Sequence, residues 1–213
     1  MPSVQSYKIQ TKRSNLFLRV AKGHFATSHS HINYYIDVTS QKSRLSEAKA
    51  IAEELVSYYN ANTIVDTILC LDGTQVIGTC LAEALTEGSF INLNAHKTIY
   101  IVTPEHTSGS QLIFRDNTLP MIEGKHVLVV AASVTTGFTA RGAIEAIQYY
   151  GGIVAGVAAI FATTDDCEGF PVKSAFNPKD LADYASYNSH ECPMCKAGKP
   201  LDALVNSYGF SKL

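Results

Sequence analysis

The stretch HVLVVAASVTTGFTARGAIEAI, from His126 to Ile147, carries the strongest indication of a fold class in the sequence. It begins with a continuous apolar run, which is typical of a strand buried on both faces. A short Thr/Gly segment follows, and apolar residues then recur at helical spacing. Near the end of the strand the sequence carries two methyl side chains, Ala131 and Ala132. The stretch predicts a strand, a tight loop and a helix in that order, which is half of a βαβ unit.

Other segments repeat this alternation. TIVDTILCLDG predicts a strand that ends in a Gly turn, and TQVIGTCLAEALTEG predicts the helix after it, stopped at Gly88. HKTIYIVTP and GGIVAGVAAIFATTDD predict two more strands, and an amphipathic helix is predicted from a cap at Ser46. Strands that alternate with helices indicate an α/β fold with a parallel sheet covered on both sides. Ligands of such sheets bind beyond the carboxyl ends of the strands.

Composition restricts the class of protein. The chain has 213 residues, 46% of them apolar and 17% charged, which fits a single globular domain over 1–213. A formal charge of −2 gives no basic excess, so we predict no nucleic-acid partner. No apolar run reaches the roughly 18 to 20 residues of a membrane helix, so we predict no membrane partner. Five irregularly spaced cysteines and a polar N-terminus predict a cytoplasmic protein.

Two loops could hold anionic groups. In SVTTGFT the hydroxyls of Thr135, Thr136 and Thr139 and the first amides of the next helix could surround a phosphate, while Gly137 allows the turn. LDGTQVIGT has the same form, with Asp72, Gly73 and Thr74 in the corresponding loop. The alternative for both is an ordinary turn between a strand and a helix.

Cysteine and histidine residues cluster at the two ends of the chain. CPMCK offers Cys192 and Cys195, with His190 nearby, but zinc needs about four ligands. Cys167 could complete a set only if the fold brings it close. We predict no metal site, and Cys192 and Cys195 are the candidates if one exists. In HFATSHSHINYY, His24, His29 and His31 could bind a metal or act in acid/base chemistry. Their irregular spacing beside aromatic residues favours packed residues of an irregular N-terminal hood over 1–42 instead.

Four segments together resemble one family. GHFATSHSHINYYID resembles an N-terminal hood, LDGTQVIGTCLAEAL a pyrophosphate loop with its helix, HVLVVAASVTTGFTARGAIEAI a phosphoribosyl pyrophosphate motif, and ATTDDCEGF with CPMCKAGKPL a last core strand and tail. In this order they are similar to the type I phosphoribosyltransferases, and among these to the orotate phosphoribosyltransferases. Only the phosphoribosyl motif is specific when taken singly.

The resemblance implies a mostly parallel twisted sheet of about five strands flanked by helices, with a small hood formed by 1–42 and a tail over 170–213. It implies a glycosyltransferase of pyrimidine nucleotide metabolism that joins a base to ribose 5-phosphate and releases pyrophosphate with Mg²⁺, usually as a homodimer. The family's phosphate-binding residues correspond here to Thr135, Thr136, Gly137, Phe138 and Thr139. Asp72, Gly73 and Thr74 would face the pyrophosphate.

Three departures from the family pattern concern charge. Ala131 and Ala132 stand where two acids normally bind the ribose hydroxyls. Thr103 and Pro104 replace a basic pair, so that only His106 and Arg115 could supply positive charge to a leaving pyrophosphate. Asp166 stands where a basic residue would meet the carboxylate of orotate, and an acid there repels an acidic base.

These departures leave three hypotheses open. The first is a phosphoribosyltransferase with an altered site and a base other than orotate. The second is a non-catalytic sensor or regulator of the same fold that binds a nucleotide or another phosphoribosyl ligand. The third is a structural or assembly role with a vestigial pocket. Intact loops for the two anionic groups favour the first two.

Overall fold

The computed structural model of the chain describes residues 6–10, 16–87, 92–108 and 111–213. These residues form two compact units. One, the central unit, is the described part of Gln41–Ala175. The other, the terminal unit, combines the described residues up to Ser40 with Phe176–Leu213. The described parts of the predicted hood and tail segments therefore fall together in the terminal unit, apart from a few residues at the boundaries of these segments.

The described residues form fourteen strands and five α-helices. The strands are β1 (Ser6–Gln10), β2 (Phe17–Ala26), β3 (His31–Asp37), β4 (Thr67–Cys70), β5 (Tyr100–Val102), β6 (Glu105–His106), β7 (Leu112–Ile113), β8 (His126–Val134), β9 (Ile153–Ala162), β10 (Asp166–Cys167), β11 (Phe170–Phe176), β12 (Ser186–Tyr187), β13 (Ala203–Asn206) and β14 (Gly209–Lys212). The α-helices are α1 (Thr39–Ser43), α2 (Leu45–Val56), α3 (Gln75–Thr86), α4 (Phe138–Tyr149) and α5 (Pro193–Lys196). Short 3₁₀ turns cover Leu119–Met121 and Pro178–Asp180.

The central unit is built on a six-stranded sheet in the order β10-β11-β9-β8-β4-β5. β4 pairs in parallel with β5 and with β8, and β8 pairs in parallel with β9. β10 and β11 form an antiparallel hairpin at one edge, so the sheet is mixed. This architecture confirms the predicted α/β fold with a mostly parallel sheet flanked by helices.

Helix spacing explains how the sheet is covered. In α4 the buried residues Ala140, Ala143, Ile144 and Ile147 recur every three or four positions and form one face. In α2 the same pattern is formed by Ala48, Ile51, Ala52 and Leu55. The predicted cap of α2 was wrong, because the helix begins at Leu45 and Ser46 lies in its first turn. The predicted helix stop at Gly88 lies outside the described residues.

Gly78 shows how closely α3 packs on the sheet. A Cβ atom at this position would collide with the Sγ atom of Cys70 and would lie 3.2 Å from the Cγ2 atom of Ile68. Both neighbours belong to β4, the strand that precedes the helix. A glycine is therefore needed to let the α3 backbone approach β4, which fixes where the loop between them emerges.

The terminal unit contains a second six-stranded sheet, in the order β12-β3-β2-β13-β14 with β1 paired to β2. The expectation of an irregular hood was therefore wrong, since β2 and β3 form a long antiparallel hairpin. Its core includes Phe25, Ile32 and Tyr35 from the hairpin and Ala203 and Val205 from the tail. The mixture of aromatic, His and Ser residues obscured the strand alternation in the sequence.

Among the described residues, no helix has the length and apolar character needed to cross a membrane.

Asp66 and His126 connect the starts of the two central parallel strands. The Asp66 carboxylate accepts hydrogen bonds from the His126 backbone amide at 2.9 Å and from His126 Nδ1 at 2.8 Å. Burial would raise the pKa of Asp66, but the hydrogen bonds from His126 outweigh it and the pKa lies below its ordinary value. The contact therefore stabilises the fold while the carboxylate is ionised.

We predict that Asp66→Asn lowers the free energy of unfolding by about 1 to 2 kcal/mol at neutral pH, because the ionised acceptor of both hydrogen bonds is lost. A depressed pKa contributes stability that is present above the unfolded-state pKa and is lost as the pH falls through the folded-state pKa. The difference between wild type and variant should thus be constant above roughly pH 5 and shrink below about pH 4. Urea denaturation across this range measures it.

Asp116→Asn is the matched control, since Asp116 is exposed and lies outside this contact. Equal unfolding free energies for wild type and Asp66→Asn at pH 7 would contradict the assigned role.

Candidate functional site

The Thr/Gly loop between β8 and α4 lies at the carboxyl end of a central strand. Gly137 caps α4 with φ of +75°, a left-handed conformation that glycine adopts without strain. Thr136 and Thr139 are exposed and Thr135 is half-buried. Within the described residues, none of these three hydroxyls has a hydrogen-bond partner. The loop thus presents three hydroxyls and the N-terminal amides of α4 at one edge of the sheet.

Contacts from the neighbouring β9 edge hold this loop in place. The hydroxyl of Thr163, just after β9, donates to the backbone carbonyl of Thr135 at 2.8 Å. Arg141, in the first turns of α4, forms an ion pair with Glu168 at 2.6 Å. The Cys167 thiol lies 3.8 Å from the carbonyl oxygen of Gly137. These contacts support the loop backbone, while Phe138, 59% exposed, projects outward.

The second loop, Asp72 to Thr74, follows β4. Asp72 and Gly73 both have positive φ values, 55° and 79°, so the chain turns sharply here. The Thr74 hydroxyl is fully buried and lies 2.8 Å from the carbonyl oxygens of both Leu71 and Val130. The Thr74 side chain therefore supports the loop through its contacts with the Leu71 and Val130 carbonyls. Asp72 and Gly73 form the part of the loop that is accessible to a ligand.

The two loops are adjacent because their strands are hydrogen-bonded in parallel. The Leu71 amide donates to the Val130 carbonyl at 2.8 Å, which extends the pairing of β4 and β8 into the start of the loop. The Asp72 carboxylate then reaches the Ala132 amide in a long contact of 3.4 Å. A carboxylate from one loop thus lies at the backbone of the strand that leads into the other loop.

Ala131 and Ala132 are both buried, with 1% of their surface exposed. Ala131 packs in the core of the central unit with residues such as Val129 and Ala159. The positions that resemble the family's acid pair are therefore filled here as core positions. The Ala132 backbone amide lies 3.4 Å from a carboxylate oxygen of Asp72.

Lys42 brings positive charge to the Asp72 loop. Its ammonium group donates to the Asp72 carbonyl at 2.7 Å. A Cβ atom placed on Gly73 would lie 3.8 Å from the same nitrogen, so the charge lies beside the turn itself. No local sequence pattern predicts this contact, because Lys42 lies in α1, thirty residues before Asp72. Lys42 is the functional candidate that sequence reasoning missed.

In the segment after β5, one of the two cations expected to supply positive charge is paired with an acidic residue. Thr103 is exposed and Pro104 is buried. Arg115, one of the two cations predicted for this region, forms a two-point contact with Glu105, at 2.7 Å from Nε and 2.6 Å from the terminal nitrogen. Hydrogen bonds from Arg115 lower the pKa of Glu105. The guanidinium of Arg115 is therefore already bound to a carboxylate.

Asp166 has a structural contact in the hairpin of β10 and β11. Its carboxylate accepts a hydrogen bond from the Gly169 amide at 3.1 Å, across the turn that contains Glu168 and Gly169 at positive φ. The Asp166 side chain is exposed, and so is Glu168, the other acidic residue of this turn. An acidic group therefore borders the loop after β9, as the sequence indicates.

The terminal cysteines lie in the terminal unit. Cys192 is buried beside the start of α5, Cys195 is exposed within it, and both thiols lie near His24 and His31. Cys167, the other cysteine considered as a ligand, contacts Gly137 in the central unit instead. His29 and His190 are exposed.

No protein-family model matches the chain. Among curated proteins, the orotate phosphoribosyltransferase of Chlorobaculum parvum is 30% identical over 184 residues, covering 85% of this chain and 86% of that protein. The orotate phosphoribosyltransferase of Sulfurimonas denitrificans is 26% identical over 192 residues, covering 83% and 88% of the two chains.

Solved structures show the same fold. The Mycobacterium tuberculosis orotate phosphoribosyltransferase in complex with Fe(III) dicitrate matches with a TM-score of 0.55 at 21% identity, over 78% of this chain and 93% of that one. The adenine phosphoribosyltransferase of Leishmania donovani matches with a TM-score of 0.51 at 15% identity, over 76% and 78% of the two chains. At these identities the likeness concerns the fold alone.

We predict that Thr74→Val destabilises the protein by about 1 to 3 kcal/mol, because a methyl group replaces a buried hydroxyl whose single proton is donated to the Leu71 or the Val130 carbonyl. Thr79→Val is the control, since the exposed Thr79 hydroxyl bonds only within its own helix, to the Gln75 carbonyl. Urea denaturation should show a change of less than about 0.5 kcal/mol for the control. Equal effects of the two substitutions would contradict the role assigned to Thr74.

Proposed function

The chain belongs to the orotate phosphoribosyltransferase family, and we propose that it transfers the phosphoribosyl group of phosphoribosyl pyrophosphate to a nitrogenous base. The observation that carries this proposal is the adjacency of the two loops, joined by the contact between Asp72 and the Ala132 amide. The donor molecule is anionic at both ends. A site for it needs two anion-binding loops at one edge of the sheet.

The loop Thr135 to Thr139 binds the 5-phosphate in this proposal. Its hydroxyls and the first amides of α4 can donate several hydrogen bonds to a dianion without a cationic side chain. Thr163 supports this function, because its hydroxyl donates to the Thr135 carbonyl. The Phe138 backbone contributes to the same turn.

The accessible part of the second loop, Asp72 and Gly73, binds the pyrophosphate in this proposal, with Lys42 beside it and the buried Thr74 as its support. Breaking the bond between ribose and pyrophosphate leaves positive charge on the sugar and adds negative charge to the leaving group. Groups that stabilise this separation in the transition state accelerate the reaction. The Lys42 ammonium, 2.7 Å from the Asp72 carbonyl, is well placed to attract the leaving group. It supplies charge that Thr103 and Pro104 do not.

Asp72 also takes over part of the role of the missing acid pair. Its carboxylate lies at the Ala132 backbone, next to where acids of the family would bind ribose hydroxyls. A carboxylate that accepts hydrogen bonds from hydroxyls contributes roughly 1.5 to 3 kcal/mol for each bond. One such group preserves a share of the ribose contacts, and a slower reaction than with two acids is expected.

Mg²⁺ fits this donor set. The ion is usually held by one or two carboxylates together with water and the phosphates of the substrate. Asp72 is a half-buried carboxylate at the pyrophosphate loop and would be the protein ligand. When bound, Mg²⁺ would neutralise charge on the pyrophosphate.

The base is proposed to differ from orotate. Asp166 adds an exposed carboxylate where an acidic base would be repelled, and Arg115 is bound to Glu105. A neutral or basic nitrogen heterocycle avoids this repulsion. We also propose that residues 1–213 form a single domain and that the protein is a homodimer, as the resemblance implies. The odd number of cysteines supports a cytoplasmic location.

Turnover over a panel of bases tests the function. Incubation of the full chain with phosphoribosyl pyrophosphate, Mg²⁺ and each base should give a nucleotide and pyrophosphate with at least one base, and a lower kcat/KM with orotate. Binding of the donor without turnover of any base would overturn the transferase proposal and support a sensor or regulator of the same fold. Absence of donor binding would overturn both.

We predict that Thr136→Val weakens the binding of ribose 5-phosphate about five- to fiftyfold, because one to two hydrogen bonds to the phosphate are lost. Thr136 is exposed and has no described partner, so its substitution should leave the fold stable. Calorimetric titration measures the affinity, with Thr79→Val as a matched control that should bind like wild type. Unchanged affinity in Thr136→Val would place the phosphate elsewhere.

We predict that Lys42→Met weakens the binding of phosphoribosyl pyrophosphate much more than the binding of ribose 5-phosphate. Its affinity for phosphoribosyl pyrophosphate should fall at least tenfold, because the ammonium beside the pyrophosphate loop is removed. Its affinity for ribose 5-phosphate should change less than twofold. Lys49→Met is the control, since Lys49 is an exposed residue of α2 paired with Glu83. An equal loss for both ligands would contradict the assignment of Lys42 to the pyrophosphate end.

A further inference from the structure

Two histidines and two cysteines from distant parts of the chain converge in the terminal unit. The side chains are His24, His31, Cys192 and Cys195, and their ligand atoms all lie within 4.8 Å of one another. His24 Nε2 lies 3.2 Å from His31 Nδ1, 3.5 Å from Cys192 Sγ and 3.6 Å from Cys195 Sγ. None of these four residues belongs to the loops that are proposed to bind the phosphate and pyrophosphate groups.

These separations fit a tetrahedral ion site. Zinc bonds of about 2.0 to 2.1 Å to nitrogen and about 2.3 Å to sulfur give tetrahedron edges of roughly 3.3 Å between two nitrogens and 3.6 Å between nitrogen and sulfur. The measured distances from His24 Nε2 match these edges. The Cys195 Sγ to His31 Nδ1 distance, 3.2 Å, is slightly shorter.

The backbone holds His24 in the orientation that a metal ligand needs. His24 Nδ1 lies 2.9 Å from the Lys199 carbonyl and 3.2 Å from the Pro200 carbonyl. A carbonyl oxygen only accepts hydrogen bonds, so Nδ1 carries the proton and Nε2 presents its lone pair to the cluster. Hydrogen bonding of the second ring nitrogen to a carbonyl is the usual support of a metal-bound histidine.

A β-bulge directs His24 into the cluster. Between Lys22 and Phe25 the register of β2 against β3 shifts, so that Gly23 and His24 together oppose one residue of β3. As a result His24 and Phe25, although consecutive, are both fully buried. A Cβ atom on Gly23 would lie 2.7 Å from Asp202 Oδ2, the atom that also accepts from the His24 amide. The bulge, with a glycine at position 23, therefore places the His24 side chain in the cluster.

We propose that the terminal unit binds one zinc ion through His24, His31, Cys192 and Cys195. Four protein ligands close the coordination shell, which is the arrangement of structural zinc sites and leaves no position for a substrate. The ion would join the β2–β3 hairpin to α5, across 168 residues of sequence between His24 and Cys192. Cys195 is exposed, which provides a route for the ion to enter.

Metal content of the full chain tests the proposal. Protein purified in reducing buffer with a tag that lacks histidine should contain one zinc per chain by elemental mass spectrometry. Cobalt in place of zinc should give the visible absorption of tetrahedral cobalt bound to thiolates. Cys195→Ser and His24→Ala should lose the stoichiometric metal, whereas Cys80→Ser and His29→Ala, which lie outside the cluster, should keep it.

Chelation of the wild-type chain provides a test that does not depend on the folding of variants. Removal of zinc should lower the Tm by about 5 °C or more, and added zinc, but not Mg²⁺, should restore it. The proposal is overturned if wild type lacks stoichiometric zinc after reconstitution, or if cluster and control variants retain it equally. A Cys192–Cys195 disulfide in freshly prepared, zinc-free protein would also overturn it and indicate a redox role.

Discussion

The parallel pairing of β4 with β8 is the constraint on which the candidate site depends. It places the ends of two strands side by side, so that the loop after each strand emerges at the same edge of the sheet. The buried Thr74 hydroxyl reinforces this pairing by bonding across it to the Val130 carbonyl. At the amino ends of the same two strands, the contact between Asp66 and His126 fixes their register. The site is therefore preorganised by the sheet rather than by long loops.

In the proposed site, the charged groups lie at positions other than those that the resemblance implies. Methyl groups at Ala131 and Ala132 belong to the packed core, and returning carboxylates to these positions would bury charge unless the neighbouring loop moved. Asp72 provides one carboxylate from the adjacent loop, and Lys42 provides one cation from outside the sheet. A reaction with weaker ribose contacts and a different base is consistent with these substitutions.

Much of the central unit could be predicted from sequence because its signals are local. Continuous apolar strands, helical spacing in α2 and α4, and the Gly turns after β4 and β8 each indicate structure within about twenty residues of chain. The hood was harder, because β2 and β3 carry polar and aromatic residues together and their alternation is interrupted by the bulge at Gly23 and His24.

The contacts that the sequence could not predict are those between distant segments. Lys42 reaches the Asp72 loop only because α1 packs beside it, and no spacing rule relates the two. The pair Cys192 and Cys195 is recognisable in the sequence, but two ligands do not make a site. The fold adds His24 and His31 from the other end of the chain. Long-range convergence of this kind depends on tertiary structure and leaves no local signature.

Hydrogen exchange of the backbone amides with and without phosphoribosyl pyrophosphate shows whether the two loops bind the donor together. Exchange in the segments 72–74 and 135–139 should slow together in the presence of the donor, because its two anionic ends engage both loops. Ribose 5-phosphate should protect only 135–139. Protection of neither loop by phosphoribosyl pyrophosphate, or of a surface away from the carboxyl ends of β4 and β8, would contradict the account.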